Sequence, residues 1–458
     1  MFHVLGNTAY RRLFSAQVLS LIGTGLTTVA LGLLAYDLAG ADAGAVLGTA
    51  LALKMVAYVT ISPVAGAIVA RLPRRGYLVV LDLCRAGMVA FLPFVTEVWQ
   101  IYVLVFLFQA FSAGFTPIFQ ATIPDILTEE GDYTNALSLS RLAYDLEALI
   151  SPLIAAALLL VIGFHWLFVG TALGFLASAL LVLGTRLPAR PARAVPESFR
   201  RGLTRGISIY RATPRLCGLL ALSFAVAAAS AMVIVNTVVY VRDVLSGSNE
   251  QVALFFTSYG LGSMVVALVL PRFLDRLGPR PLMIGGAAVL VAGLLFAAFD
   301  PSYGFSLALW AVLGAGGSLI QTPAGLLLRR SSHQTDRPAL FSAQFALSHA
   351  CWLLTYPLAG WLGAAAGLNV TFAVMAVFCA IGLGICAAVW RTGDPEVLPH
   401  THAAVSHEHL HVHDEHHQHE HEGWEGPEPH SHPHRHAAIR HAHAFVIDDH
   451  HPKWPSRG

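Results

Sequence analysis

Charge is what this chain has least of. Only 12% of its 458 residues are Asp, Glu, Lys or Arg, against 55% hydrophobic. A soluble domain carries roughly 25% charged residues, so most of this surface does not face water and a soluble enzyme is excluded at the outset. Lysine is nearly absent: Lys54 and Lys453 are the only two. The five cysteines (Cys84, Cys217, Cys351, Cys379 and Cys386) are scattered through apolar runs without CxxC spacing. That excludes a disulfide framework and a thiolate metal site, leaving them as small packing residues. No GxxxxGK[ST] loop is present, so ATP is not the expected energy source. No other enzyme motif stands out, and nothing points to nucleic acid.

What the chain has is apolar length. A helix needs about 20 mostly apolar residues to cross a bilayer. Such runs lie near 13–37, 44–70, 77–96, 101–122, 137–161 and 165–184, then near 215–241, 251–272, 282–299, 304–328, 339–365 and 370–390. Arg11 and Arg12 precede the first run, which is long enough to span and is read as a retained helix rather than a cleaved signal. Arginines cluster in alternate loops: Arg71, Arg74 and Arg75; eight from Arg186 to Arg215; Arg272, Arg276 and Arg280; Arg329, Arg330 and Arg337; and Arg391. The intervening loops are nearly bare. The positive-inside rule then puts both termini in the cytoplasm, which requires an even number of spans. Trp99, Trp166 and Trp361 fall near the predicted outer ends, as interfacial aromatics do.

The expectation is an all-α membrane protein of twelve transmembrane helices in two pseudo-symmetric bundles. The first bundle covers 1–184 and the second 216–392. A basic linker at 185–215 joins them, with a His-rich tail at 393–458. In the linker, Phe199, Leu203, Ile207 and Tyr210 recur at helical spacing among arginines, which reads as a basic helix lying on the inner membrane face. A solvated linker is the alternative.

The two halves repeat. Gly66-Ala-Ile-Val-Ala70-Arg71-Leu-Pro73-Arg74-Arg75 follows the second run, and Pro271-Arg272-Phe-Leu-Asp275-Arg276-Leu-Gly278-Pro-Arg280 follows the eighth. The segments around Arg141 and Gln344 match at almost the same offset, about 200 positions. Such duplication marks transporters, with the substrate site between the repeats. The loop segments resemble the major facilitator superfamily signature G-x-x-x-D-R-x-G-R-R. The second copy keeps Asp275, Arg276, Gly278 and Arg280. The first keeps Gly66, Arg71, Arg74 and Arg75 but has Ala70 for the acid and Pro73 for the glycine. Asp82 and Arg85 follow, and Asp82 is the candidate to replace the missing acid in an inner-gate latch. Within that superfamily, Ser140-Arg141-Leu-Ala-Tyr144-Asp145-Leu-Glu147 and Ser151-Pro152, with a His-crowded tail, resemble the bacterial nickel-resistance permeases. The resemblance implies nickel efflux.

Ionisable groups cost roughly 2.5–3.5 kcal/mol each in a bilayer on insertion scales, so they need a role or a partner. Lys54, Arg141, Asp145, Glu147 and His349 stand out, with Gln344 and Asn236 among the neutral ligands available to an ion. Arg141 and Asp145 are four apart and can pair on one helix face. Glu147 either salt-bridges Lys54 or holds a proton and a metal ion by turns, which would couple the two flows. His349 is a relay, a ligand, or a packed residue bonded to its own helix. Gly314, Gly316 and Gly317 either let their helix flex or permit close packing.

The tail holds eighteen of the 22 histidines. His407, His409, His411, His413, His416, His417, His419 and His421 run together, followed by His430, His432, His434 and His436. With little to bury it should be disordered. Imidazole suits nickel, cobalt, zinc and copper(II), and the absence of Cys or Met clusters weighs against copper(I). Binding should weaken below about pH 6.5 as the rings protonate. The expectation is a monomeric secondary carrier in a bacterial inner membrane, exporting nickel, or cobalt or zinc, against protons and needing no resident cofactor. An exporter of drugs or metal chelates, and a membrane-anchored metal buffer or sensor, remain open alternatives.

Overall fold

In the computed structural model, every apolar run is a helix. The structure describes residues 2–39, 43–69, 72–188, 199–247, 249–299, 301–393, 397–402, 405–411, 430–436, 439–447, 451 and 454. The first half is α1 (Thr8–Ala39), α2 (Ala43–Val69), α3 (Arg74–Phe91), α4 (Val98–Ile126), α5 (Glu130–Leu159) and α6 (His165–Leu183). A short helix, α7 (Phe199–Ala212), precedes the second half. That half is α8 (Pro214–Val239), α9 (Asn249–Leu277), α10 (Pro279–Ala297), α11 (Tyr303–Gln321), its continuation α12 (Ala324–Arg330), α13 (Arg337–Ala366) and α14 (Leu368–Val389). Counting α11 and α12 as one, the described residues form twelve long helices in the two bundles.

Judged on the described residues, ten are long and apolar enough to cross a membrane. The other two are α5, with Glu130, Asp132, Arg141, Asp145 and Glu147, and α13, with Gln344 and His349. These occupy matching places in the two halves. Arg141, Glu147, Gln344 and His349 are tolerated there because they line the space between the bundles rather than facing lipid.

The halves meet along two seams, α2 against α13 and α5 against α9. Without a hydrophobic drive between helices in lipid, close approach of small residues supplies the packing. Gly314 is one such contact: a Cβ there would lie 1.9 Å from the Tyr259 carbonyl oxygen, so this glycine packs α11 onto α9. The second half is further fixed by an aromatic cluster of Tyr240, Phe255, Trp310 and Phe372. The Trp310 indole N–H donates to Thr237 at 2.8 Å within it.

The linker helix packs against the bundles. α7 packs onto α13 and α2, and Ile209 and Tyr210 are buried. A Cβ on Gly206 would fall 2.0 Å from the Ala339 carbonyl oxygen, a closeness that only glycine permits. Arg205 pairs with Asp336 at 3.2 Å. The Tyr210 hydroxyl, whose pKa burial pushes well above its ordinary value, donates to Gln344 Oε1 at 2.5 Å. Tyr210, on the face expected to meet lipid, is buried against protein.

In the tail the described residues include four strands. β1 (Val397–His402) pairs antiparallel with β4 (Ile439–Ala444), and β2 (Val405–His411) with β3 (His430–His436). Backbone pairing gives the ribbons their hydrogen bonds. An apolar stretch that the sequence reading passes over, Phe445, Val446 and Ile447, is buried, with Phe445 and Ile447 joining the core of the second half. Arg215 donates to the Phe445 carbonyl at 3.3 Å and lies 5.1 Å from the Trp454 ring centre. His413, His416, His417, His419 and His421 lie outside the described residues.

Candidate transport pathway

A cavity of about 560 Å³ lies between the halves. The candidates Lys54, Arg141, Glu147, Gln344 and His349 all line it. Asp145 is committed to Arg141, at 3.0 Å. Arg141 also crosses to the second half, donating to Ser263 Oγ at 2.8 Å and Gln321 Oε1 at 3.1 Å. It therefore ties α5 to α9 and α11 at the level of the cavity.

Glu147 differs from Asp145. Among the described residues it makes no hydrogen bond or ion pair, and the salt bridge to Lys54 that the sequence allows is not formed. The two face the same cavity and act on each other only through space. Lys54 instead sits 5.5 Å from the Tyr58 ring centre. Tyr58 donates to Gln109 at 2.8 Å and stacks edge-on with His349 at 4.7 Å. Phe345 and Trp352 complete an aromatic wall around His349. The His349 Nδ1 bonds its own helix at the Phe345 carbonyl, 2.7 Å away. A ring whose Nδ1–H is given to a carbonyl keeps Nε2 as a lone-pair donor.

Asn236 does not belong to the pathway. It is buried within the second half, donating to the Ala359 carbonyl at 3.1 Å and to the Met232 sulfur at 3.3 Å. Its amide ties α8 to α13 and is spent there. Among the described residues no three His, Cys, Asp or Glu groups gather where they could hold a metal ion.

The arginine-rich end of the cavity is closed by ion pairs. Asp125, at the end of α4, accepts from Arg74 of its own half and from Arg337 of the other. All three are nearly buried, with Asp125 only 4% exposed. Beside them Arg330 pairs with Glu130 across the halves, and Arg329 donates to the Thr128 carbonyl. Gly66 lets α2 approach α13: a Cβ there would be 2.8 Å from Ser342 Oγ, and Ser62 donates to the Ser342 carbonyl at 2.9 Å. Of the loop candidates, then, Gly66 and Arg74 take part in the closure, Arg75 is exposed, and Arg71 lies outside the described residues.

Asp82 is not the latch acid. It is fully buried inside the first half, paired with Arg85 and accepting from Ser178 at 2.8 Å. Arg85 is in turn sandwiched by Phe115 and Phe175, 4.0 and 4.5 Å from their ring centres. In the second copy Asp275 and Arg276 are exposed and make no ion pair among the described residues. Gly278 takes φ +71° at the helix break, and Arg280 donates to the Trp390 carbonyl at 2.6 Å, capping the end of α14. The acid that matters, Asp125, escapes the sequence reading because it stands just past residue 122, where the apolar run ends. The available signal is an acid at the arginine-rich end of a span.

Two helical bundles around a shared polar cavity, shut at one end by ion pairs between the halves, are the architecture of an alternating-access membrane carrier. The chain matches the Major Facilitator Superfamily model over residues 13–245 and 219–424, and it belongs to that family. It is 26% identical over 157 residues to the inner membrane transport protein YajR of Escherichia coli strain K12, covering 34% of each chain. It thus spans about a third of the length of the curated relative it matches. Solved structures share the fold. The human organic anion transporter MFSD10 (TETRAN) superposes with TM-score 0.69 at 14% identity, covering 83% of this chain and 99% of that one. A bacterial homologue of the iron transporter ferroportin in an outward-facing state gives the same TM-score, identity and coverage. The E. coli fucose:proton symporter gives TM-score 0.65 at 16% identity, over 84% of this chain and 98% of that one.

Proposed function

We propose that this carrier exports divalent metal ions, nickel first and cobalt or zinc beside it, in exchange for protons across a bacterial inner membrane. Its arginine-rich face would be cytoplasmic. The observation that carries this reading is Glu147, a carboxylate on the cavity wall that makes no ion pair among the described residues, two residues from an Asp145 already taken by Arg141. One carboxylate holds a proton or a cation but not both. Loading metal from the inside displaces a proton inward, and protonation from outside releases metal outward. His349, with Nε2 left as its donor nitrogen, suits a borderline cation. Because no three ligands converge among the described residues, the ion would cross in hydrated or chelated form. The histidine tail supports a metal cargo by composition.

The aromatic wall of Tyr58, Phe345 and Trp352 supports a second reading, export of an organic solute or metal chelate. The cavity has the volume of small-molecule sites, about 300–1,000 Å³. Elemental analysis of washed cells expressing the protein separates the two. A fall in nickel that Glu147→Gln abolishes and tail deletion only reduces supports the first. Unchanged metals with raised resistance to organic toxicants supports the second. A metal phenotype lost wholly with the tail and untouched by Glu147→Gln would mean a buffer rather than a carrier.

A further inference from the structure

Among the described residues, four Asp, Glu, Lys or Arg side chains line the cavity: Lys54, Arg85, Arg141 and Glu147. Arg85 and Arg141 are answered from within the protein, by Asp82 and Asp145. Lys54 and Glu147 are left facing the cavity with opposite charges and no ion pair between them. Among the described residues Lys54 makes no hydrogen bond, and its ammonium stands 5.5 Å from the Tyr58 ring centre. Such a contact is worth about 0.5–2 kcal/mol, against about 2.5–3.5 kcal/mol for placing a charge in a bilayer. An anion arriving from the cavity would make up the difference.

The surroundings of Lys54 form a strip across the seam between the halves. Lys54 and Tyr58 are one turn apart on α2, and Phe345, His349 and Trp352 share one face of α13. The Tyr58 ring lies 4.7 Å from His349, which lies 5.1 Å from Trp352. The Trp352 indole N–H is buried with no acceptor among the described residues. Lys54 and Trp352 thus both offer donors. A hydrated dication, whose water protons point outward, offers donors too, and its charge is repelled by the ammonium. A metal ion held by a carboxylate chelator presents acceptors instead. We infer that Lys54 is a carboxylate subsite, which takes the carboxylate of a small amino-carboxylate chelator while the metal it carries faces Glu147. The metal in this cargo rests on the proposed function; the carboxylate subsite does not.

L-Histidine and histamine are the probes. Both hold nickel through an amine and an imidazole, but only histidine has a carboxylate, and an oxygen not on the metal can accept from Lys54. Binding of each radiolabelled ligand, with saturating Ni²⁺ and without it, is measured by equilibrium dialysis on the purified full-length protein. The Lys54→Gln and Lys54→Arg forms are measured alongside, and whatever the tail takes up is common to all three. With nickel, the unaltered protein should bind one histidine per chain beyond the Lys54→Gln form, with no such excess of histamine. Lys54→Arg should restore the excess. Losing a hydrogen bond to a charged group should weaken histidine binding about tenfold or more. Equal histidine binding with and without the lysine, or an equal excess of histamine, overturns the subsite. The unaltered protein alone also decides: if it does not prefer histidine to histamine, the subsite is wrong, whether or not Lys54→Gln folds. A lysine-dependent excess that forms equally well without nickel supports the subsite and fails the proposed metal cargo instead.

Discussion

The two copies of the loop after the second helix of each half present an inversion. The copy that keeps the family pattern, Asp275 to Arg280, forms no latch among the described residues: Asp275 and Arg276 are exposed, and Arg280 caps α14. The copy that has lost the acid and the glycine holds the gate, because Arg74 reaches Asp125 and Asp125 also receives Arg337 from the other half. Motif preservation and mechanical engagement are thus separate properties. In this conformation one copy bears the closure while the other stands disengaged.

The largest effect should come from Asp125→Ala. Removing one partner of a buried ion pair costs about 3–5 kcal/mol, and here two arginines lose their carboxylate. With the accessible native cysteines replaced, a cysteine at the cavity-lining Ser348 should be labelled from the arginine-rich face faster by about two orders of magnitude. An unchanged rate would show that the closure rests elsewhere. Asp82→Asn tests the contrast between the two acids. It should lower the melting temperature by a similar free energy, since Arg85 would be left buried, but without opening the gate in the labelling assay. Glu130→Gln removes a half-exposed pair worth at most about 1 kcal/mol. Its effect on labelling should be several-fold and should vanish at high salt. The smallest effect belongs to Asp275→Asn, within about 0.5 kcal/mol in stability, with labelling unchanged. A large gain in labelling there would place the second copy in the gate after all.

Much of the architecture is legible in the sequence. Twelve apolar runs, their duplication and the arginine pattern all follow from what a bilayer demands of a helix. The Arg141–Asp145 pair is legible as well, since four-residue spacing is local. What escapes depends on distant partners. Asp125 meets Arg337 from 212 positions away, and the amide of Asn236 goes to Ala359 rather than to the cavity. The tail's described parts escape as well. Composition predicts disorder, but the alternation His407-Glu-His409-Leu-His411 has the period of a strand face, and Phe445 to Ile447 supplies an apolar foot.

α7 changes what joins the two halves. Gly206 lies against the Ala339 carbonyl, and Arg205 is fixed to Asp336, so the helix is welded to α13 and travels as part of the second half. Its contact with α2 is then a parting line rather than a hinge. α7 is consequently less a tether between two bodies than an extra blade on one of them. Through Tyr210 and Gln344 that blade reaches the wall of the cavity, so a disturbance at the connector is felt where the cargo sits.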